Sequence, residues 1–288
     1  MIFNLFYLVF FFFKRYNEIT MKLEFKINKY ALIKDVFVQN FNHRKDDKSL
    51  PFPFWRKLEN SLWKKFCNEP SYYLISPEHF NWGLKEIFVE ADKIGFKKTF
   101  LNVSNNLEKI YKEIIKTKEF ERLLSETEEY KRSIEKQWDN KEEFILDYFK
   151  NTLGLEIPDY IVTVYVFHPK SFCGHANAKT KTILWGHSED WENYTMTYLA
   201  HEVLHIIINK KSCSNIMHAI IELATDNELR IRLNGKSVYF KEKERNIGHK
   251  HLQKIEKEIL PYWEKFLGEN KDKKNIFSLE KEIKNGLD

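Results

Sequence analysis

Apolar and polar positions divide the chain into stretches of different period. Residues 22–38 (KLEFKINKYALIKDVFV) alternate in part and carry β-branched side chains, which predicts a strand or hairpin. Over 55–67 the apolar spacing is helical. A further helix is predicted from Ser76-Pro77-Glu78, where a Ser cap, a Pro at the first helical position and an acidic first turn coincide; it runs to about Ile94 and stops at Gly95. Residues 107–153 form a long helical stretch broken near Asp139-Asn140, whose Glu- and Lys-rich faces read as solvated surface.

The pattern changes near residue 154. Residues 161–167 (IVTVYVF) and 180–185 (TKTILW) are β-branched and aromatic runs, the first bounded by Pro158 and Pro169 and the second ended by Gly186. Both predict strands. Two helices follow, over about 191–210 and 214–233, the first entered after the capping residues Ser188-Glu189-Asp190. A last helical block spans about 248–266, and no internal repeat is visible. The predicted organisation is an apolar extension over 1–20, a mostly helical N-terminal domain over 21–153 and an α+β domain over 154–288. The fold class is α+β, mostly helical, with a small antiparallel or mixed sheet.

Composition adds limits to this picture. A chain of 288 residues allows one large domain or two modest ones, and 43% hydrophobic residues supply a core. With 9 Gly and 7 Pro, collagen-like and Pro/Gly-rich disordered classes are excluded. Aromatics reach 16%, but a bias toward Phe, Tyr, Ile, Lys and Asn also arises from AT-rich coding, so no function is read from it. The net charge of +5 is mild and permits an anionic partner without requiring one. No RNP-like, zinc-finger or helix-turn-helix signature is present, so no nucleic-acid partner is expected. Cys67, Cys173 and Cys213 are odd in number and form no CxxC, which argues against a disulfide framework and for a reducing, cytoplasmic compartment.

The extension itself reads IFNLFYLVFFFF over 2–13, followed by Lys14 and Arg15. It is too short to cross a bilayer, which takes about 20 residues, and it has neither the positive leading region nor the cleavage site of a secretory signal. Two readings stay open: a non-native extension ahead of a start at Met21, or a short anchor that makes the protein membrane-associated.

The chemistry concentrates in 198–208, Tyr-Leu-Ala-His-Glu-Val-Leu-His-Ile-Ile-Ile. His201 and His205 stand four apart, which on a helix puts both imidazoles on one face within reach of one Zn2+ ion. Glu202 stands beside the first of them, where a carboxylate can act as general base on a zinc-activated water. The alternative is a core helix with two satisfied histidines. Against it, the neighbours Leu199, Ala200, Val203, Leu204 and Ile206 are uncharged, and burying these three polar groups is costly unless they are paired or bound to metal.

A third ligand is needed. The metzincin continuation is absent, because Ile208 and Lys211 occupy its Gly and His positions. The next helix reads Ile220-Ile221-Glu222-Leu223-Ala224-Thr225-Asp226. Over about 182–230 the sequence therefore resembles the gluzincins, the thermolysin-like HExxH zinc peptidases. The resemblance implies a zincin-like catalytic domain with Glu222 as third zinc ligand and Asp226 hydrogen-bonding a ligand histidine, although Glu222 lies 17 positions after His205, slightly short of the usual spacing. Helical i,i+4 spacing puts both carboxylates on one face. Glu228 is the main competitor for the ligand role. His218, one turn before Glu222, is a weaker one with a supporting role as its alternative.

Gluzincins also present an edge strand before the HExxH helix, which here points to Ile183, Leu184, Trp185 and Gly186 as the strand that pairs with extended substrate. A donor to the developing oxyanion is sought downstream, with His249 and His251 ahead of Tyr239 and Tyr262. His168, His175 and His187 lie in loops and read as solvated, His187 as a possible border of the cleft. The function expected is a zinc-dependent metallopeptidase acting on a peptide or protein substrate. The absence of a GxMEN-like motif favours an endopeptidase. The alternative is a non-catalytic metal-binding regulatory or sensor module.

Overall fold

The computed structural model describes residues 21–29, 32, 115–169, 171, 173–208, 214–235, 237–243, 245–269 and 274–287. The extension over 1–20 and the helices expected over 55–67 and 76–94 lie outside the described residues. In chain order the elements are β1 (Lys22–Lys26), α1 (Lys118–Asp147), a π-helical turn (Tyr148–Thr152), β2 (Ile161–Val166), β3 (Cys173–Asn177), β4 (Thr182–Gly186), α2 (Tyr194–Ile208), α3 (Asn215–Glu222), a π-helical segment (Leu223–Leu229), α4 (Arg230–Asn234), the two-residue strands β5 (Lys241–Glu242) and β6 (Arg245–Asn246), α5 (Gln253–Leu267) and α6 (Ile276–Leu287). The architecture is α+β, mostly helical, with a small mixed sheet. Among the described residues no helix is long and apolar enough to cross a membrane.

The sheet order is β1-β2-β4-β3. β1 and β4 run parallel to β2, whereas β3 pairs antiparallel with β4 from Cys173↔Gly186 to Asn177↔Thr182. This corrects the edge-strand expectation: Ile183, Leu184, Trp185 and Gly186 lie in an interior strand, every residue of β4 is buried, and its main chain is committed to β2 on one side and β3 on the other. Among the described residues the edge on that side of the sheet is β3. Its sequence, CGHAN, lacks the β-branched run that marks β2. The hairpin closes because Asn177 Oδ1 accepts from the backbone N–H of Lys179 (3.1 Å) and Thr180 (3.2 Å), an Asx-type turn.

The described residues on either side of position 154 share this sheet and its core. β1 pairs along its length with β2, from Lys22↔Ile161 to Lys26↔Tyr165. Its alternation is clean, with Leu23 and Phe25 buried and Lys22, Glu24 and Lys26 exposed. Met21, Ile134 and Trp138 lie in one hydrophobic cluster with Val164, Leu199 and Leu204.

α1 runs without interruption through Asp139-Asn140, where a break was expected. Phe120, Leu123, Thr127, Ile134, Trp138 and Ile145 form its buried stripe at helical spacing. Trp138 Nε1 donates to Glu142 Oε1 (3.0 Å) across the expected break. Thr117 caps the helix by accepting from Phe120 N (3.2 Å). α2 is buried on nearly every side, packed against α1 and β3. α3 is capped by Ser214, whose Oγ accepts from Met217 N (3.0 Å), and it packs on α5 and α6.

Candidate metal centre

α2 brings His201 and His205 one turn apart, with Nε2 to Nε2 at 3.0 Å. The orientation of His201 is fixed from behind, because its Nδ1–H donates to Asp226 Oδ1 (2.8 Å). Thr225 Oγ1 stands 2.9 Å from the same oxygen. Burial alone would push the His201 imidazole down, but the charge and hydrogen bond of Asp226 raise it to about 9. His205 is driven to about 2 by burial and by the neighbouring imidazoles. A carboxylate behind a ligand histidine fixes its tautomer and raises its basicity.

The next helix supplies the second half of the cluster. Glu222 is fully buried, and its carboxylate accepts from the backbone N–H of His249 (2.7 Å) and from the His249 ring through Nδ1. Burial opposes the charge on Glu222, yet these two bonds hold its carboxyl below the usual range. The His249 imidazole is correspondingly raised, chiefly by its bond to Glu222. His218 Nε2 lies 3.8 Å from Glu222 Oε1. Glu256 of α5 is also fully buried, and burial together with the neighbouring Glu222 carboxylate pushes it well above the carboxylate range. The ligand atoms of His201, His205 and His218 lie within 4.8 Å of one another, and so do those of His218, Glu222 and His249. These two groups could each hold a metal ion.

Beyond Glu222 the chain winds as a π-helix, in which the backbone bonds run to the fifth residue on and the turn is wider. Side chains also donate to carbonyls of this stretch. Asn227 Nδ2 donates to Glu222 O (3.2 Å), Tyr148 OH to Ala224 O (2.7 Å) and Arg230 Nε to Asp226 O (2.7 Å). Arg230 also pairs with Glu242, reaches Ser237 and donates to Val238 O (2.7 Å). Phe240 N donates to Asn227 Oδ1 (2.6 Å). The β5–β6 hairpin is thereby strapped to the helix that carries Glu222 and Asp226, and it leads into Gly248 and His249. Gly248 has φ +79°, and a Cβ there would collide with Glu222 Oε2.

Glu202 points to the other side of the cluster, toward β3. It takes a hydrogen bond from the Ala176 backbone and lies beside Gly174, where an added Cβ would stand 3.6 Å from Glu202 Oε1. Burial raises the Glu202 carboxyl, with the His201 charge and the Ala176 bond opposing the shift. The cavity in front of it is about 370 Å³ and is bordered by Gly174, His175 and Ala176 of the edge strand together with Glu202, His205 and His218.

Several sequence candidates lie elsewhere. His251 is exposed, its ring centroid 5.6 Å from that of His249, and it joins neither donor group. Glu228 is occupied by Arg232 (2.7 Å) and by the Tyr239 hydroxyl. Tyr262 OH approaches Gly286 on α6. His168 is buried rather than solvated, with Nε2 3.0 Å from Glu126 Oε2. His187 stacks on Tyr194 at 4.6 Å between centroids. His218, ranked in the sequence below Glu222 and Glu228, belongs to both donor groups, and Glu256 was not singled out at all. The first was legible from its i,i+4 spacing to Glu222, but the second depends on how α5 packs against α3.

The donor set is one that could hold a metal ion: two imidazole nitrogens meet face to face, a third is buried without a hydrogen bond, and a fully buried carboxylate lies beside it. In comparisons with known proteins the chain matches no family model, no curated protein and no solved structure.

Proposed function

We propose that the protein is a zinc-dependent metallopeptidase of zincin-like fold, acting as an endopeptidase in the cytoplasm. The observation that supports this best is the His201–His205 pair, held from behind by Asp226 and flanked by Glu202 at an open cavity. In this reading His201 and His205 hold the ion, with Glu222 as the third protein ligand. When bound, zinc supplies a Lewis acid that polarises a carbonyl and makes water more acidic. Glu202 takes a proton from the attacking water and passes it to the leaving amine nitrogen, and its raised pKa favours the first of these steps, uptake of the proton. Asp226 keeps the Nε2 of His201 available to the ion.

Substrate binding falls to β3 rather than β4. It is the antiparallel edge of the sheet at the cavity, where an extended peptide can pair with main-chain donors and acceptors. Of the two histidines considered for the oxyanion, His249 borders the cavity and His251 does not.

Elemental analysis and a peptide-library digest test this reading. The expected result is one zinc per chain, lost in His201→Ala and retained in Glu202→Gln, with cleavage falling about 10²–10⁴-fold in Glu202→Gln. Undiminished cleavage by Glu202→Gln would remove the mechanism. One observation favours a second reading, a non-catalytic metal-binding regulatory or sensor module: Glu222 is engaged by His249 rather than by the HExxH histidines. Stoichiometric zinc without cleavage of any library peptide would support that reading instead.

A further inference from the structure

The two HExxH histidines supply only two donors, and Glu222, expected as the third, is tied to the backbone and ring of His249. A further donor within reach of both histidines is His218. It sits one helical turn before Glu222 on α3, its ring centroid 4.8 Å from that of His205 and 5.9 Å from that of His201. Its Nε2 is buried and makes no hydrogen bond, although 32% of the side chain is exposed. A buried imidazole nitrogen without a partner is costly, and native structures leave few such groups unexplained. Nitrogens bound to one tetrahedral ion at about 2 Å stand roughly 3.3 Å apart. The ligand atoms of His201, His205 and His218 already lie within 4.8 Å of one another, so small side-chain rotations gather them.

We propose that His218 Nε2 binds the same divalent ion as His201 and His205, making a three-imidazole site that forms whether or not Glu222 joins it. This rests on the metal reading above and not on peptidase activity. α3 then serves the site at two successive turns, with His218 facing the ion and Glu222 facing both His218 and His249.

The test uses the full chain loaded with zinc. X-ray absorption counts imidazole ligands, and competition with a chromophoric chelator gives zinc affinity, in wild type and His218→Ala. Ala favours the helix and position 218 is partly exposed, so the variant is expected to fold, as circular dichroism checks. Three imidazoles are expected in wild type and two in His218→Ala, with zinc bound at least about tenfold more weakly by the variant. Two imidazoles in wild type, or zinc affinity unchanged in His218→Ala, would overturn the proposal and leave the metal site standing. A wild type that binds no zinc would overturn both. The wild-type count decides the question even if the variant misfolds.

Discussion

Arg230 is the residue on which the strap to the site depends. Its side chain is fully buried, and it pairs with Glu242 while donating to Asp226 O and Val238 O. Truncating one member of a buried ion pair leaves the other uncompensated, so Arg230→Ala is expected to cost about 3–5 kcal/mol in urea unfolding. Gly248 is the second sensitive position. Alanine there combines an unfavourable positive φ with a collision against Glu222 Oε2. Gly248→Ala should destabilise the fold by about 1–3 kcal/mol and weaken zinc binding, whereas the same change at Gly235, which also has positive φ but open space around it, should leave zinc affinity intact. Thermal unfolding and chelator competition on the two variants would separate strain from contact with the site.

Among the elements, β4 is the most constrained. A Cβ on Gly186 would stand 2.7 Å from Phe167 Cβ and 2.8 Å from the backbone oxygen of His168. Gly186→Ala is expected to lower stability by about 1–3 kcal/mol, read as a reduced urea midpoint with unchanged slope. β2, β4 and α2 were legible because burial wrote their period into the sequence: IVTVYV, TILWG and the uncharged flanks of HExxH. β3 was not, since a pairing partner rather than propensity makes CGHAN a strand. α6 carries its signal in Ile276, Leu279 and Ile283, all buried, but the helix is short and follows a charged run. The π-helical segment left no trace in the periodicity. The i,i+4 reading of Glu222 and Asp226 nevertheless identified two residues of the site, and the structure directs them to different partners, His249 and His201. HExxH put His201, Glu202 and His205 on α2, and His218 and His249 were already candidates, but Glu256 was not, and that all three meet α2 depends on helix packing and a hairpin.

At the scale of the molecule, the candidate centre lies where α2, α3 and the loop before α5 meet, so an ion held there ties the three together. Zinc at about a hundred times its dissociation constant should stabilise the fold by about 2.7 kcal/mol. For a chain of this size each kcal/mol moves the melting midpoint by about 2–4 °C. A rise of several degrees with zinc, reversed by a chelator, is the expected calorimetric result, and no shift would argue against a site in the folded protein. The parallel pairing of β1 with β2 has a consequence in time. These strands join residues 139 positions apart, as in Lys22↔Ile161, and synthesis proceeds at roughly 5–20 residues per second. β1 therefore emerges from the ribosome roughly 7–28 s before its partner exists. Throughout that interval the β1 main chain lacks its β2 partner, and a strand with unpaired donors and acceptors is open to wrong pairing during translation.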